Sequence, residues 1–401
     1  MEEKFEVNAE DVELESATFK ESARRSQSLW EDLPRNPAKY RVLTGERPTG
    51  PLHIGHLFGT VANRVRIQNL GATTFIVIAD YQVLTDRDTA DAVSANVHQA
   101  ILDYLAAGLD PENGRTFFFS HSHIPELNQL LLPFMALVTT AELDRNPTVK
   151  EEIKAAGLRQ VNALMYTYPI HQAADILFCK GNVVPVGRDQ LPHLELTRKI
   201  ARRFNERFSP AAPVFPVPDA LLSEVPVVLG TDGQKMSKSR GNTVLLKMTA
   251  EETAKAIKGA KTDSERQITY DPQNRPEVAN LLRLVAICGN ETPEAVAERI
   301  GDGGSGRLKA LLTEALNTTL APIRERRGRY AGDMAYVQAV LRKGVQRARE
   351  EGITTLAQVR KAMNMDHGLD EAPSEQGKCT LLGEERPRDQ VDQLRPPSRE
   401  K

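Results

Sequence analysis

Short apolar runs alternate with longer amphipathic stretches through the first part of the chain. Apolar runs of this length, bounded by turn residues, are typical of strands buried in a parallel sheet. They cover residues 40–44, 74–80, 116–120, 182–187 and 225–230. Helical stretches lie between them, at about 54–70, 89–107, 126–180 and 191–204. This alternation predicts an α/β fold with a Rossmann-like, doubly wound parallel sheet.

The pattern changes beyond about Thr243, where amphipathic helices follow one another without a credible strand. Thr249, with Glu252 three positions later, predicts a capping box at the start of the first of these helices. We therefore predict a Rossmann-type α/β domain over residues 38–245 and a separate all-α carboxy-terminal domain over residues 246–365.

The two ends of the chain differ from these domains in composition. Residues 1–37 are polar and charged, with few apolar positions at regular spacing, and they predict a flexible or loosely docked extension. Residues 366–401 are rich in Pro, Glu and Arg, and they predict a disordered tail.

Charge and cysteine content limit which cellular compartments and which classes of binding partner fit this sequence. The formal net charge is -2 over 401 residues, so any RNA contact must come from local basic patches. Cys179, Cys288 and Cys379 are far apart, which fits neither a disulfide framework nor a zinc motif and favours a reducing cytoplasm. The acidic amino-terminal segment does not resemble a secretory signal, and no apolar run approaches the roughly 20 residues of a membrane span. We expect a cytoplasmic protein with no membrane contact and no resident metal.

A glycine-rich turn follows the first predicted strand and leads directly into a helix. Gly45, Gly50 and Gly55 let the backbone approach a ligand, and the helix start offers unpaired N–H groups to phosphate. His53 and His56 lie three positions apart, on one face of the first helical turn. They can donate hydrogen bonds to phosphoryl oxygens as charge develops there. The segment predicts a nucleotide site.

A second polar segment, residues 230–242, carries two lysines and two serines between glycines. Lys235 and Lys238 are mobile cations that could stabilise a departing pyrophosphate more strongly in the transition state than in the ground state. Gly233 and Gly241 allow hinge motion. Val228, immediately before this loop, is expected to pack against adenine.

The two segments, in this order, resemble the signature pair of class I aminoacyl-tRNA synthetases. From about Val42 to Met363 the chain resembles the tryptophanyl-tRNA synthetase family. The segments that carry the resemblance are TGERPTGPLHIGH, TYPIHQAADILF, VPVGRDQLPHLELTR, KMSKS, AKTDSE and NLLRL. The resemblance implies activation of L-tryptophan by ATP with Mg²⁺, transfer to tRNA(Trp), a homodimer, and an anticodon-reading helical domain.

The resemblance also implies roles for individual residues. The catalytic groups map onto His53, His56, Lys235 and Lys238. The ATP-binding groups map onto three segments: Arg47, Pro48, Thr49, Gly55 and His56; Gly187, Arg188 and Asp189; and Val228, Lys235, Met236, Ser237, Lys238 and Ser239. The tryptophan-binding groups map onto Tyr168, Gln172, Asp175 and Gln190.

The resemblance implies that Asp175 recognises the indole ring of the substrate. Indole has one N–H donor and no acceptor, so a buried carboxylate is a suitable selector. Tyr168 and Gln190 match positions that hold the ammonium group of the substrate. Asp80, at the carboxyl end of a predicted strand, is a further expected substrate contact.

Three positions depart from common family residues and leave the reaction class intact. Arg47 stands where many members carry Gln, Gln172 where many carry Met, and Arg188 where Glu is frequent. We expect these changes to affect affinity and inhibitor sensitivity.

Other functions remain open on the sequence. A tyrosyl-tRNA synthetase shares the fold and the Q-A-x-D step of Gln172–Asp175. A small-molecule nucleotidylyltransferase shares the histidine motif but would not need the carboxy-terminal helices. A synthetase paralogue that binds RNA or protein, either auxiliary or without catalysis, is a third alternative.

Overall fold

The computed structural model describes residues 9–85, 90–156, 161–222 and 228–369. Within these residues, five strands form one parallel sheet in the order β3-β2-β1-β4-β5. They are β1 (Arg41–Glu46), β2 (Thr73–Ile78), β3 (Thr116–Ser120), β4 (Val183–Val186) and β5 (Asp219–Leu222). The predicted α/β class is confirmed, and so are the first four predicted strands, each shifted by at most a few positions.

Of the fifth predicted strand, residues 225–230, only residues 228–230 are described, and these do not join the sheet. Residues 225–227 lie outside the described part, and Leu229 forms only an isolated antiparallel bridge with Lys235. The edge strand is instead the short β5 segment, which pairs in parallel with β4.

Fifteen α-helices accompany the sheet in the described residues. They are α1 (Ala9–Asp32), α2 (Ile54–His56), α3 (Ala62–Asn69), α4 (Val93–Ala107), α5 (Pro125–Gln129), α6 (Leu131–Met135), α7 (Thr140–Asp144), α8 (Pro147–Ala156), α9 (Ala163–Leu177), α10 (Leu191–Phe208), α11 (Ala250–Lys258), α12 (Pro276–Gly289), α13 (Pro293–Ile300), α14 (Gly304–Ala331) and α15 (Met334–Ala362). A π-helical turn, Leu57–Val61, joins α2 to α3. The predicted capping box forms at α11, where the Glu252 amide donates to Oγ1 of Thr249 (3.1 Å).

The strand order places a switch point between β1 and β4. Chain connections leave the sheet in opposite directions on either side of this point, which opens a crevice at the carboxyl ends of the two strands. Glu46 ends β1 and Val186 ends β4. The glycine-rich turn and the Gly187–Gln190 segment therefore both begin at the crevice.

The carboxy-terminal helices share a core with the sheet. One apolar cluster joins Ile76 and Phe118 of the sheet to Leu282 of α12 and Leu316 of α14. Residues 246–365 are mainly helical, and their apolar core is continuous with that of the sheet; the boundary between the two predicted domains stays a prediction.

The amino-terminal segment also differs from its prediction, because α1 docks on the outer edge of the sheet. Leu33, the residue immediately after α1, is fully buried in a cluster with Leu221 of β5. The amide of Leu222 donates to Oγ of Ser26 (2.9 Å), and a guanidinium nitrogen of Arg25 lies 3.2 Å from Asp219. The inward face of α1 contains serines as well as leucines. Because serine is polar, apolar residues do not recur at a clear helical spacing in this segment.

Helix α15 covers the opposite edge of the sheet, and Gly344 makes this approach possible. A Cβ atom added there would lie 1.9 Å from the carbonyl oxygen of Phe118 and 2.6 Å from its amide nitrogen. Because both contacts are backbone atoms, the helix would have to move away from β3.

We expect Gly344→Ala to lower the free energy of unfolding by about 1–3 kcal/mol, since overpacking strains a well-packed core. Chemical denaturation measures the change. Gly328→Ala in α14 is the matched control, because a Cβ atom there meets nothing within 4 Å. That variant should gain about 0.5–1 kcal/mol from helix propensity. An unchanged denaturation midpoint for Gly344→Ala would contradict the close packing of α15 on β3.

In the part of the chain that the structure covers, no helix is both long and apolar enough to cross a bilayer. The predicted disordered tail lies outside the described residues from position 370 onward.

Candidate active site

The glycine-rich turn is shaped by its close approach to the neighbouring strand. A Cβ atom at Gly45 would lie 2.2 Å from Cγ1 of Val77, so only glycine fits where β1 passes β2. Gly50 has φ of +126°, a conformation that favours glycine. The chain then enters α2 with the amide of Ile54 donating to the carbonyl oxygen of Val244 (2.9 Å). The turn is therefore fixed at both ends.

His53 and His56 lie side by side at the start of α2, with ring centroids 3.7 Å apart. The His53 amide donates to Nδ1 of His56 (3.2 Å), and Nε2 of His56 lies 3.2 Å from Oε2 of Glu46. In this conformation His56 faces Glu46, so its ring must turn before it can donate to a phosphate. Nδ1 of His53 is buried and makes no hydrogen bond.

Glu46 belongs to a buried charged network that the sequence analysis did not predict. An Arg64 guanidinium nitrogen donates to Glu46 (3.3 Å), and the other terminal nitrogen donates to the Tyr104 hydroxyl (2.8 Å). Glu46 and Arg64 are far apart in sequence, and each resembles an ordinary surface charge. No local pattern in the sequence marks this pair.

Burial shifts the pKa values of His53, His56 and Glu46. Burial, together with smaller contributions from the nearby His56 and Lys238 charges, lowers the pKa of His53 to about 3. Burial also lowers the pKa of His56, although Glu46 opposes the change. For Glu46, burial acts to raise the pKa, but His56, Arg64 and Lys238 outweigh it and the pKa is lowered. At neutral pH both imidazoles are therefore neutral hydrogen-bonding groups beside an ionised carboxylate.

The lysine loop reaches across the crevice to the glycine-rich turn. Nζ of Lys238 donates to the carbonyl oxygen of Gly50 (3.0 Å). Sδ of Met236 lies 3.6 Å from the position of a Cβ atom built on Gly55. The two sequence signatures, far apart along the chain, therefore meet at one place in the fold. Lys235 is exposed on the same loop.

Asn242 stabilises the lysine loop through hydrogen bonds to other residues of the loop. It is buried, its side chain accepts from the Ser237 amide (2.8 Å), and it donates to Asp232 (2.7 Å). Asn280 of α12 accepts from the Leu229 amide (2.9 Å) just before the loop. The carboxy-terminal helices therefore hold the base of the loop.

A second set of hydrogen bonds connects the carboxy-terminal helices to the histidine motif. Asp103 of α4 is fully buried and accepts from the Leu52 amide (2.7 Å), next to His53. Its other oxygen accepts from Nε of Arg327 in α14 (2.6 Å). Neither residue was predicted, since their partners are distant in sequence.

The predicted amino-acid pocket lies on α9 and on the turn after β4. The Tyr168 hydroxyl pairs with Nε2 of His193 (2.9 Å), a residue that the sequence analysis missed. Burial raises the pKa of Tyr168, and Arg47 is close enough to oppose this increase. The Gln172 amide lies 3.5 Å from Oε1 of Gln190. Tyr168, Gln172, Gln190 and Arg47 are therefore brought towards the same crevice.

Asp175 is buried on α9, one turn beyond His171. Its Oδ1 lies 3.0 Å from Nε2 of His121, without hydrogen-bond geometry. Burial lowers the pKa of His171 despite the nearby Asp175.

Asp80 accepts hydrogen bonds from the amides of Tyr81 (3.0 Å) and Ser122 (3.1 Å), so its carboxylate connects two loops. That use argues against the expected substrate contact by Asp80.

The remaining predicted ATP groups lie on the turns that follow β1 and β4, and on the segment that leads into and forms the lysine loop. Thr49 donates its amide to the carbonyl oxygen of Arg47 (2.8 Å), and Pro48 between them is buried. Gly187 lies against Asp189, whose Oδ1 would be 2.6 Å from a Cβ atom at that glycine. Val228 is buried in the core cluster that contains Met236. The side chains of Arg188 and Ser239 lie outside the described part.

A parallel sheet of this order, with a histidine turn and a lysine loop meeting at its switch point, defines the catalytic domain of a class I aminoacyl-tRNA synthetase. The family described as tRNA synthetases class I (W and Y) matches residues 35–321. A tryptophan--tRNA ligase from Treponema pallidum is 40% identical over 334 residues, which cover 81% of this chain and 97% of the relative. The chain belongs to this class I family and, within it, to the tryptophan--tRNA ligases.

Other relatives agree. A tryptophan--tRNA ligase from Thermotoga maritima is 38% identical over 81% of this chain and 99% of its own length. The crystal structure of tryptophanyl-tRNA synthetase from Campylobacter jejuni complexed with ADP and tryptophan is 29% identical with a TM-score of 0.69, and covers 81% of this chain and 99% of that one. A tyrosyl-tRNA synthetase from Archaeoglobus fulgidus is 21% identical with a TM-score of 0.58, which shows a shared fold alone. Membership makes the chain an ATP-dependent ligase and excludes the nucleotidylyltransferase alternative.

Proposed function

We propose that the crevice between β1 and β4 activates L-tryptophan with MgATP and that the tryptophanyl group is then transferred to tRNA(Trp). The observation that supports this most directly is the hydrogen bond from Lys238 to the Gly50 carbonyl. Because that bond joins the lysine loop to the histidine turn, a triphosphate in the turn would contact both. Mg²⁺ enters with ATP as part of the substrate.

The first step needs positioning and charge stabilisation. The tryptophan carboxyl group has a pKa of about 3.5 and is ionised at neutral pH, so no general base is required. One of its oxygens attacks the α-phosphorus of ATP, the bond to the β-phosphate oxygen breaks, and magnesium pyrophosphate leaves. His53 and His56 would donate hydrogen bonds to phosphoryl oxygens, while Lys235 and Lys238 stabilise the leaving group.

The amino acid would lie between α9 and the turn after β4. Asp175 would accept the indole N–H, and Tyr168 and Gln190 would hold the ammonium group, with Gln172 as a polar pocket wall. The nucleotide would contact Arg47, Pro48, Thr49 and Gly55 at its phosphates. Gly187, Arg188 and Asp189 would meet the ribose, Val228 the adenine, and Met236, Ser237 and Ser239 would complete the loop side.

In the second step, the 2′-hydroxyl of the terminal tRNA ribose attacks the carbonyl carbon of the adenylate, and AMP leaves as the ester forms. We place anticodon reading on the carboxy-terminal helices, where unstacked bases of a single-stranded loop can be recognised. A homodimer in which each tRNA contacts both subunits, and a cytoplasmic location, complete the proposal.

ATP–pyrophosphate exchange, measured with each of the twenty amino acids in turn, tests the substrate. We expect exchange with tryptophan and about 10⁴-fold weaker exchange with tyrosine, because a site built to bind a substrate N–H strongly rejects analogues without it. tRNA charging with the same preparation tests the second step. Exchange with tyrosine but not tryptophan would overturn the assignment, whereas adenylate formation without charging would indicate the auxiliary, non-charging alternative.

A further inference from the structure

Three buried side chains from two elements converge next to the proposed indole reader. His121 follows the end of β3, and His171 and Asp175 lie one turn apart on α9. One nitrogen or oxygen atom from each lies within 4.8 Å of one from each of the others. The two imidazole rings are nearly perpendicular, at 74°, with centroids 4.6 Å apart. We call these three residues the His–His–Asp cluster.

Several polar atoms of the cluster make no hydrogen bond, although His121 and Asp175 lie at ion-pair distance. Both ring nitrogens of His121, Nδ1 of His171 and Oδ1 of Asp175 are buried without a hydrogen bond. Most buried polar atoms in folded proteins have a partner, and each unpaired one costs free energy. Several such atoms gathered at one point indicate a site that is completed by a polar or charged ligand.

A neighbouring side chain orients one imidazole for such a ligand. Nε2 of His171 lies 2.8 Å from Oδ1 of Asn128. Because the amide oxygen can only accept, it places the ring proton on Nε2 and leaves Nδ1 as an electron-pair donor. Metal-binding histidines are commonly fixed by this kind of hydrogen bond from the nitrogen that does not bind the metal.

We propose that the His–His–Asp cluster binds one transition-metal dication of the zinc type, and that this cation competes with the indole ring for Asp175. Two imidazoles and one carboxylate, with a fourth position open, form a ligand set that zinc uses. Tetrahedral bonds of about 2.0–2.2 Å place ligand atoms roughly 3.3–3.6 Å apart. The cluster spans 3.0 Å between His121 and Asp175 and at most 4.8 Å overall, so small side-chain rotations complete it.

The ligand set distinguishes this cation from the magnesium of MgATP. Mg²⁺ takes oxygen ligands in near-octahedral geometry, whereas imidazole nitrogens suit zinc, copper, nickel and cobalt. The competition rests on the proposed function of Asp175. A cation that uses the carboxylate oxygen withdraws the electron pair that the indole N–H needs, so both ligands cannot occupy Asp175 together.

Cobalt(II) is the direct probe, because its visible absorption reports nitrogen and oxygen ligation. Chelator-treated full-length protein, titrated with Co²⁺ alone, should bind one equivalent and develop the spectrum of a four- or five-coordinate site. His171→Leu should lose this spectrum. His123→Asn is the matched control, since His123 follows closely in the same turn, is exposed, and pairs with Ser120 (2.8 Å) outside the cluster. It should keep the spectrum, and Zn²⁺ should displace the cobalt.

Competition is measured on the wild-type protein, which avoids any folding defect of a variant. Saturating tryptophan should abolish the cobalt spectrum. In exchange assays at fixed Mg²⁺, Zn²⁺ at ten times its dissociation constant should raise the apparent KM for tryptophan about 11-fold, with kcat unchanged. The proposal is overturned by absence of stoichiometric cobalt binding, by retention of the spectrum in His171→Leu, or by a spectrum that tryptophan leaves unchanged.

Failure of this inference can be separated from failure of the proposed function. Normal tryptophan-dependent exchange without cobalt binding removes only the metal site. Cobalt binding by a protein that shows no tryptophan-dependent exchange removes the proposed substrate and leaves the metal site intact.

Discussion

Lys238→Ala is expected to slow adenylate formation by about 10²–10³-fold, the usual effect of removing one donor that stabilises transition-state charge. Nζ of Lys238 is already held against the Gly50 carbonyl, next to the histidine motif. A pyrophosphate leaving from the glycine-rich turn would therefore meet this ammonium group without a large movement of the loop. Pre-steady-state measurement of adenylate formation at saturating substrates reports the change.

Tryptophan binding provides the internal reference for this variant. The dissociation constant, measured by calorimetry without ATP, should change less than about twofold, because a transition-state contact contributes to kcat rather than to ground-state binding. Lys247→Ala, an exposed lysine beyond the loop, is the matched control and should react at the wild-type rate. An unaltered rate in Lys238→Ala would remove this residue from the catalytic groups. Lys235→Ala should also slow the step, through a side chain that is exposed in this conformation.

The sheet and the two signatures could be predicted because their signals are local. The strands β1 to β4 are apolar runs that remain buried on both faces, and the histidine and lysine segments are short motifs that keep their meaning anywhere in a chain. The β5 strand was missed because its four residues begin with an aspartate and follow a proline-rich stretch. Pairing with β4 makes it a strand, and that pairing is set by the fold.

The charged interior of the site depends on contacts that no local pattern contains. Glu46 and Arg64 form a buried pair, although each alone resembles a solvated charge. Asp103 meets Arg327 only because α14 packs on α4. Such pairs are costly to break once buried, since removal of one partner leaves the other charge uncompensated. They therefore hold the histidine motif in position, and under the proposed function that motif would supply the groups that contact the nucleotide.

The same reasoning applies to α1 and to the His–His–Asp cluster. Ser22 and Ser26 continue the inward face that Leu29 and Leu33 define, at spacings of three and four, yet serine gives no apolar signal. His121 is separated in sequence from His171 and Asp175 by the whole of α5 to α8. Metal-ligand spacing rules apply to neighbouring residues, so this cluster is visible only when β3 and α9 are packed together.

The second large effect is expected from Asp175→Ala. Loss of a hydrogen bond between indole and a charged partner costs about 1.5–3 kcal/mol, which corresponds to a dissociation constant for tryptophan raised about 10- to 150-fold. Calorimetry measures this, and circular dichroism checks the fold. Asp144→Ala is the matched control, because Asp144 is an exposed carboxylate that accepts from the Tyr166 hydroxyl (2.9 Å) near the same helix. It should bind tryptophan normally.

A tryptophan isostere with sulfur in place of the indole N–H separates recognition of this group from loss of packing. The wild-type protein should bind the isostere far more weakly than tryptophan, since the buried carboxylate would then lack its donor. In Asp175→Ala the two ligands should bind almost equally, because neither meets a carboxylate. A preference for tryptophan that survives in this variant would mean that another group reads the N–H, and the nearest candidates are the imidazoles of His121 and His171.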